Sequence, residues 1–320
     1  MDFSRVFTPI KSHLEQFETE LKTVLETDSA IIRQVTEHLY GSSGKRLRPA
    51  LLFLTAERFN KSALFSSLAV ELIHTATLLH DDVVDQSQIR RGKDTVNYKW
   101  NNLVSVLMGD YLFAKAFGLL VKADLPYLMT SFAEATERVS IGELNQVFYT
   151  GDFEITEQTY LDIISDKTAS LFACSAEAGA ICSGRNGATV KALKEYGENI
   201  GLAFQIVDDL LDLIGETNKT GKSLGSDIRE GWVTLPLIAA LRNDNGNSRG
   251  RFRDIHGGEM NQGDLNEVIK YVKNNGGIEY AEQKAREYVE NALRILRDLD
   301  GLPMKSSLEE LAIVAIDRDR

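Results

Sequence analysis

Little in this chain would stiffen or cross-link it. Only five of its 320 residues are proline, too few for a fold punctuated by tight turns or for a proline-rich linker. Cys174 and Cys182 are its only thiols. That count excludes a disulfide-stapled secreted scaffold and a four-cysteine zinc site, and a reducing cytoplasmic setting is the simplest expectation. Basic residues are in deficit, 36 Lys and Arg against 47 Asp and Glu, and the formal charge of -11 argues against nucleic acid as the main partner. No apolar run approaches the roughly eighteen residues of a membrane helix, so no span is expected. The opening "MDFSRVFTPIKSHLEQ" also lacks the apolar centre of a secretion signal.

What the chain does have is helical periodicity. Apolar residues recur at three- and four-residue spacing almost throughout. The spacing predicts helices over Ile31–Tyr40, Ala50–Asn60, Ser66–Asp85, Val104–Leu120, Leu128–Phe148, Gln158–Ser183, Lys191–Ile214, Leu235–Arg242, Leu265–Asn274, Glu279–Leu296 and Ser307–Ile316. Turn clusters such as "GSSGKRLRP", "SGRNG" and "NDNGNSRG" separate them. Alternating strand-like windows are few and short, and no linker or composition shift divides the chain. The expected fold class is all-α, a single helical domain over residues 1–320.

Two of these helices are apolar around most of their circumference, which places them at the centre of a bundle. Each ends in three aspartates: "LLHDDVVDQ" (Leu78–Gln86) holds Asp81, Asp82 and Asp85, and "VDDLLDL" (Val207–Leu213) holds Asp208, Asp209 and Asp212. At about 100° per residue, His74, Asp81 and Asp85 fall within one narrow arc, as do Gln205, Asp208 and Asp212 with Asp209 at its edge. Mutual repulsion, burial and the negative end of the helix dipole all disfavour these carboxylates. They need cations. A solvated helix end would explain one triplet, but not two copies of the same spacing after wholly apolar helices. Oxygen donors without cysteine select a hard ion, Mg²⁺ rather than zinc. Mg²⁺ shares its shell with substrate phosphates, so two facing triplets suggest a diphosphate between them. A ferritin-like di-iron site would need Glu-x-x-His pairs on facing helices, and none is suitably placed.

Basic residues stand beside the triplets: Lys45, Arg46 and Arg48 in "GSSGKRLRP", Arg90, Arg91 and Lys93 in "QIRRGKD", and Lys167 with Thr168 in "SDKTAS". Arginine forks suit bidentate phosphate contacts; each cluster alone is more often surface solvation, and it is the position beside the triplets that favours a site. His74 lies two turns before Asp81, about 10 Å by the helical rise, which suits a second ligand beside the metal-bound one. His80 points elsewhere and reads as structural. "GETNKTGKS" (Gly215–Ser223) imitates a phosphate-binding P-loop, but it has one residue too many between its glycines and follows a helix instead of a strand. Lys222 in it can still reach a phosphate.

With these motifs in view, the chain resembles the trans-prenyl diphosphate synthase family, most of all its bacterial long-chain heptaprenyl and octaprenyl members. The matching segments are "GKRLRP", "LIHTATLLHDDVVD", "RRGKDT", "GDYLFAKAF", "GEL", "KTASLF", "GLAFQIVDDLLD", "GSDIREG" and "TLPL", from Gly44 to Leu237, and the terminal "IDRDR" is also similar. The resemblance implies a helical bundle around a deep central cavity, usually a homodimer, that condenses isopentenyl diphosphate with an allylic diphosphate using Mg²⁺. It implies Asp81 and Asp85, assisted by Asp82, and Asp208, Asp209 and Asp212 as metal-binding residues, with Asp81, Asp82, Asp85, Lys167 and Asp208 central to catalysis. It assigns Lys45, Arg48, His74 and Arg91 to isopentenyl diphosphate, and Arg90, Lys167, Thr168, Gln205 and Lys222 to the allylic substrate.

Product length should depend on the residues before the first triplet. Short-chain relatives place a bulky aromatic at the position of Ala76 or Thr77; here both are small, with Ile73 a turn further down. A long product, heptaprenyl to decaprenyl, is expected, with Phe132 and Phe148 as candidate floor residues. One departure stands out: where relatives read "EGK" or "GN" before "TLPL", this chain reads "EGWVTLPL" with Trp232. The alternatives are a shorter-chain farnesyl or geranylgeranyl diphosphate synthase, a regulatory subunit of a heteromeric synthase, and a terpene cyclase. Intact triplets argue against the regulatory subunit, and the second triplet argues against a cyclase.

Overall fold

The computed structural model describes residues 3–41, 44–56, 59–90, 92–215, 225–243, 247–258 and 260–317. About 80% of the chain is helical. The main helices are α1 (Lys11–Val24), α2 (Ala30–Tyr40), α3 (Leu47–Thr55), α4 (Lys61–Val84), α5 (Asn102–Ala123), α6 (Pro126–Phe148), α7 (Glu157–Ile164), α8 (Ser170–Cys182) and α9 (Gly187–Ile214). The short α10 (Ser226–Glu230) and α11 (Leu235–Ala240) follow, then α12 (Asn247–His256), α13 (Gln262–Asn274), α14 (Gly277–Arg297) and α15 (Lys305–Ile316). A π-helical turn, Ser165–Ala169, joins α7 to α8. Among the described residues the only sheet is a two-residue hairpin, β1 (Ile89–Arg90) against β2 (Lys93–Asp94).

Local chemistry fixes the boundaries. Asn60, Asn101, Thr156 and Asn186 each stand before a helix with a side-chain oxygen on a first-turn amide, satisfying a donor the helix cannot. Helix α3 stops at Thr55, short of the predicted Asn60, because Asn60 starts the next helix as its cap. The Asn60 amide also donates to the Cys182 carbonyl at 2.8 Å, closing the end of α8 with the same side chain.

Several elements escape the periodicity reading, among them the short α10 and also α12, which begins inside the turn cluster "NDNGNSRG". Helix α1 shows only a narrow apolar stripe, with Phe17 and Leu21 buried. The hairpin has two-residue strands, too short for alternation to register. The bond that defines the π turn, from the Ser170 N–H to the Ser165 carbonyl, spans five residues and leaves no trace in apolar spacing.

Helix α4 runs through the centre and is buried over most of its length. It packs along α5, where the Ser105 hydroxyl donates to the Leu79 carbonyl at 2.9 Å. Helix α8 is buried on all sides between α3, α4 and α9. A large core centres on α3, α4, α5, α8 and the first half of α9. A smaller one gathers around the second half of α9 with α11, α13 and α14. Tyr288 and Ile316 pack against both.

The expectation about membrane-length helices needs correcting. Helices α4 and α5 are long and apolar enough to cross a membrane by length and composition. In α4 that stretch is 72% buried, as a core helix should be, whereas in α5 it is only 39% buried. Much of the α5 surface is therefore apolar and uncovered.

Candidate active site

The two triplets end α4 and α9, where their helices leave the core. Asp85 caps the C-terminus of α4, and its N–H donates to the Asp81 carbonyl at 2.8 Å. Asp82 is buried and accepts a 2.6 Å hydrogen bond from Arg90 Nε in the hairpin. Its backbone carbonyl also accepts from the Asn97 side chain. Asp82 and Arg90 thus hold the hairpin against the end of the aspartate helix. Burial pushes the Asp81 carboxyl up to about 7; the Lys167 ammonium offsets part of this, and the charges of Glu143 and Asp85 add to it. Arg90 also lowers it, but burial dominates.

In the second triplet the three side chains have different surroundings. Asp208 is exposed. Asp209 is buried, accepting from the Tyr160 hydroxyl at 2.6 Å on one oxygen and from the Gln205 amide at 2.7 Å on the other. Burial raises its pKa, the two hydrogen bonds oppose this, and the charges of Asp208 and Asp212 raise it further. Asp212 accepts from the Ser226 hydroxyl at 2.6 Å and from the Ser226 and Asp227 amides at 3.1 Å, fastening the start of α10 to α9.

The π turn joins the two clusters. Lys167 and Thr168 are successive residues in it. Lys167 carries the positive charge that acts on Asp81 and Asp85. Thr168 donates to Gln205 Oε1 at 2.8 Å, and Gln205 in turn donates to Asp209. One line therefore runs from Asp81 through Lys167, Thr168 and Gln205 to Asp209. Lys167 is held in addition by Glu143 of α6, whose carboxylate lies 2.6 Å from its ammonium. Glu143 stands in "GEL", yet as one of three acids on its helix, with Glu134 and Glu137, it gives no sign of facing Lys167. Trp232 has its ring centroid 6.0 Å from the same ammonium and donates its indole N–H to Glu230. The departure noted in the sequence thus adjoins the cation between the triplets.

The basic loop before α3 divides its labour. Lys45 is exposed, and Arg48 lies 4.7 Å above the Phe172 ring. Arg46 between them takes a left-handed backbone (φ 52°) and turns inward to Glu18 at 2.7 Å and Glu71 at 2.6 Å, with only 10% of its side chain exposed. Arg46 is thus committed to protein carboxylates. His74 is half-buried and lines a pocket with Arg46, Glu71, Asp82, Arg90 and Lys93. Arg91 and Lys222 lie outside the described residues. His80 packs on α5, with Nε2 3.1 Å from the Val106 carbonyl, and does not join the cluster.

Of the residues expected to set product length, Ile73 and Ala76 are fully buried, and Thr77 is half-buried with its hydroxyl on the His74 carbonyl. Phe132 is also fully buried, but Phe148 is 77% exposed and cannot form a floor. It sits in the last turn of α6, where the helix has left the core.

Among the described residues no three carboxylate, imidazole or thiol groups converge tightly enough to cage a metal on their own. A structural zinc site would need such a cage; Mg²⁺ does not, since it takes one or two carboxylates and fills its shell with water and phosphate oxygens. The raised Asp81 carboxyl and the all-oxygen donor set fit such an ion.

The chain is similar in sequence and fold to known proteins. The polyprenyl synthetase family model matches residues 29–272. The chain is 36% identical to an all-trans-nonaprenyl-diphosphate synthase (geranyl-diphosphate specific) of Rhodobacter capsulatus, covering 99% of each chain. It is 33% identical to heptaprenyl diphosphate synthase component 2 of Geobacillus stearothermophilus, covering 100% of each. A crystal structure of a polyprenyl synthase from Caulobacter crescentus CB15, complexed with calcium and isoprenyl diphosphate, superposes with a TM-score of 0.93 at 36% identity, covering 99% of this chain and 98% of that one. Family model, full-length identity and shared architecture agree with the paired aspartate triplets: the chain belongs to the polyprenyl synthetase family.

Proposed function

We infer that this chain is a trans-polyprenyl diphosphate synthase, which adds isopentenyl diphosphate repeatedly to an allylic diphosphate and releases a long all-trans product. The observation that carries this reading is the line Asp81–Lys167–Thr168–Gln205–Asp209, which sets two acidic clusters around one cationic turn. Asp81, Asp85, Asp208, Asp209 and Asp212 are the residues that would hold Mg²⁺, with Arg90 orienting Asp82 and with Gln205 and Tyr160 orienting Asp209. When bound, the ion would supply charge to a leaving diphosphate.

The protein's own groups do the rest. Lys167 and Thr168 present a charge and a hydroxyl to the allylic diphosphate, with Gln205, Arg90 and Lys222 as its further contacts. Lys45, Arg48, His74 and Arg91 receive isopentenyl diphosphate. Stabilising the departing diphosphate lets the allylic C–O bond break, and apolar walls before the first triplet keep water from the resulting cation. The isopentenyl double bond then attacks, and a proton leaves to the departing diphosphate. Small Ala76 and Thr77 leave room for a long product, with Phe132 as a floor candidate.

The chain is proposed to act in the cytoplasm as one domain, residues 1–320, and as a homodimer. The outer faces of α5 and α6 expose Leu103, Leu107, Val121, Leu144 and Phe148, an apolar surface that a second copy would cover. The Geobacillus relative is named as one component, which makes a heteromer the competing assembly. Incubation with Mg²⁺, isopentenyl diphosphate and geranyl, farnesyl or geranylgeranyl diphosphate, read by mass spectrometry, tests the activity. Absence of chain extension from all three primers would overturn it.

A further inference from the structure

Lys167 and Thr168 sit in the one turn of this region that is not α-helical. The bond from the Ser170 N–H to the Ser165 carbonyl encloses one residue more than an α-turn. Such turns are rare and are found often at functional sites. Two helices press on this one closely enough to require glycine. A Cβ on Gly142 of α6 would lie 2.4 Å from the Lys167 backbone nitrogen, and one on Gly201 of α9 would lie 2.5 Å from the Ala169 Cα.

One side chain spans the same three elements. Arg138, one turn before Gly142 on α6, donates from Nε to Asp166 Oδ1 at 2.7 Å and from Nη2 to Ser165 Oγ at 2.7 Å. It also reaches Glu198 of α9 with both terminal nitrogens, at 2.7 and 3.3 Å. Ser165 Oγ donates to Glu198 at 2.6 Å, closing the network. Ser165 and Asp166 are the two residues immediately before Lys167. The fork geometry of arginine is what lets one side chain hold both of them and a carboxylate on another helix.

We propose that Arg138 is a positioning residue for the allylic diphosphate: it clamps the π turn between α6 and α9 and so aims Lys167 and Thr168 at the substrate. The proposal rests on the reading that Lys167 contacts that diphosphate. A tie that served stability alone would, when cut, affect both substrates alike. A clamp acting through Lys167 selects the allylic one.

The test compares steady-state kinetics of Arg138→Met, Arg138→Lys, Lys167→Met and the Arg138→Met/Lys167→Met double variant. Arg138→Met should raise the farnesyl diphosphate KM about tenfold and shift the isopentenyl diphosphate KM less than about twofold. Arg138→Lys should fall between, keeping the charge without the fork. In the Lys167→Met background the same change should add less than about twofold, the non-additivity of two residues acting as one unit. Calorimetric binding of inorganic diphosphate should weaken in parallel. If Arg138→Met fails to fold, Glu198→Gln carries the same expectations. Equal changes in both KM values, or full additivity with Lys167→Met, overturn the clamp while leaving the role of Lys167 intact. An unchanged farnesyl diphosphate KM in Lys167→Met overturns both.

Discussion

The Lys167 ammonium lies 2.6 Å from Glu143 Oε2, and both side chains are about four-fifths buried. Burial alone would lower the Lys167 pKa; Asp81 and Glu143 outweigh it and keep the group charged. Glu143 is thus the counter-ion that makes a buried cation tolerable before an anionic substrate arrives. Removing one member of a buried pair costs about 3–5 kcal/mol when the other remains charged. Lys167→Ala should therefore destabilise the fold, by an amount at the lower end of that range because both groups keep some solvent contact, as urea unfolding would show. Glu143→Ala/Lys167→Ala together should cost less than the sum of the single changes.

Trp232 puts an aromatic face 6.0 Å from the same ammonium. An aromatic ring attracts a cation but offers no donor to phosphate. Trp232→Lys would add a charged donor beside Lys167, and the expected result is an allylic KM lower by about threefold or more, measured against farnesyl diphosphate. An unchanged KM would mean that position 232 is out of reach of the diphosphate.

Ala76 is fully buried, one turn before His80 and Asp81. Ala76→Tyr should shorten the product by one or more isoprene units in mass spectra, with some loss of stability from overpacking, about 1–3 kcal/mol. Retention of the original chain length would refute its place on the product path.

Arg46 is enclosed by Glu18, Glu71 and the rings of Phe17 and Tyr40. Arg46→Met leaves Glu71 buried without its partner and should cost about 3–5 kcal/mol in urea unfolding. Arg46→Met/Glu71→Met should recover part of that loss. If the double variant is no more stable than the single one, the stranded carboxylate is not the cause.

Glu198 links stability to pH. Burial alone would raise its pKa, but hydrogen bonds from Arg138 and Ser165 and the charge of Arg138 bring it below the usual glutamate value. The folded state therefore holds the proton less tightly than the unfolded chain. This contribution is fully present above the ordinary value of about 4.5 and is lost as pH falls through the lower folded-state value. Glu198→Gln should narrow the stability difference between pH 7 and pH 4 in urea unfolding. An unaltered difference would show that other carboxylates govern the acid limb.

Much of this was legible in the sequence, for a definable reason. The helix spans Ile31–Tyr40 and Leu128–Phe148, read from apolar spacing, lie within one or two residues of the observed Ala30–Tyr40 and Pro126–Phe148, and the aspartate triplets announce themselves by charge on apolar helices. What stayed hidden depends on partners distant in the chain. Lys45, Arg46 and Arg48 read as equivalent bases, and only the positions of Glu18 and Glu71 turn Arg46 inward. The segment from Glu157 to Cys182 looks uniformly helical because its break is a change in backbone hydrogen bonding, which apolar spacing does not record. Phe148 read as a floor candidate because its apolar neighbours continue the helical spacing past the point where α6 leaves the bundle.

Helix α5 has two kinds of neighbour. Its inner side, with Ser105 and Leu112, lies against the aspartate-bearing α4, while Leu103, Leu107 and Val121 face outward. A second copy seated on that outer side would brace the helix that braces Asp81. Dilution would then act as an inhibitor: specific activity would fall as copies separate, before either one unfolds.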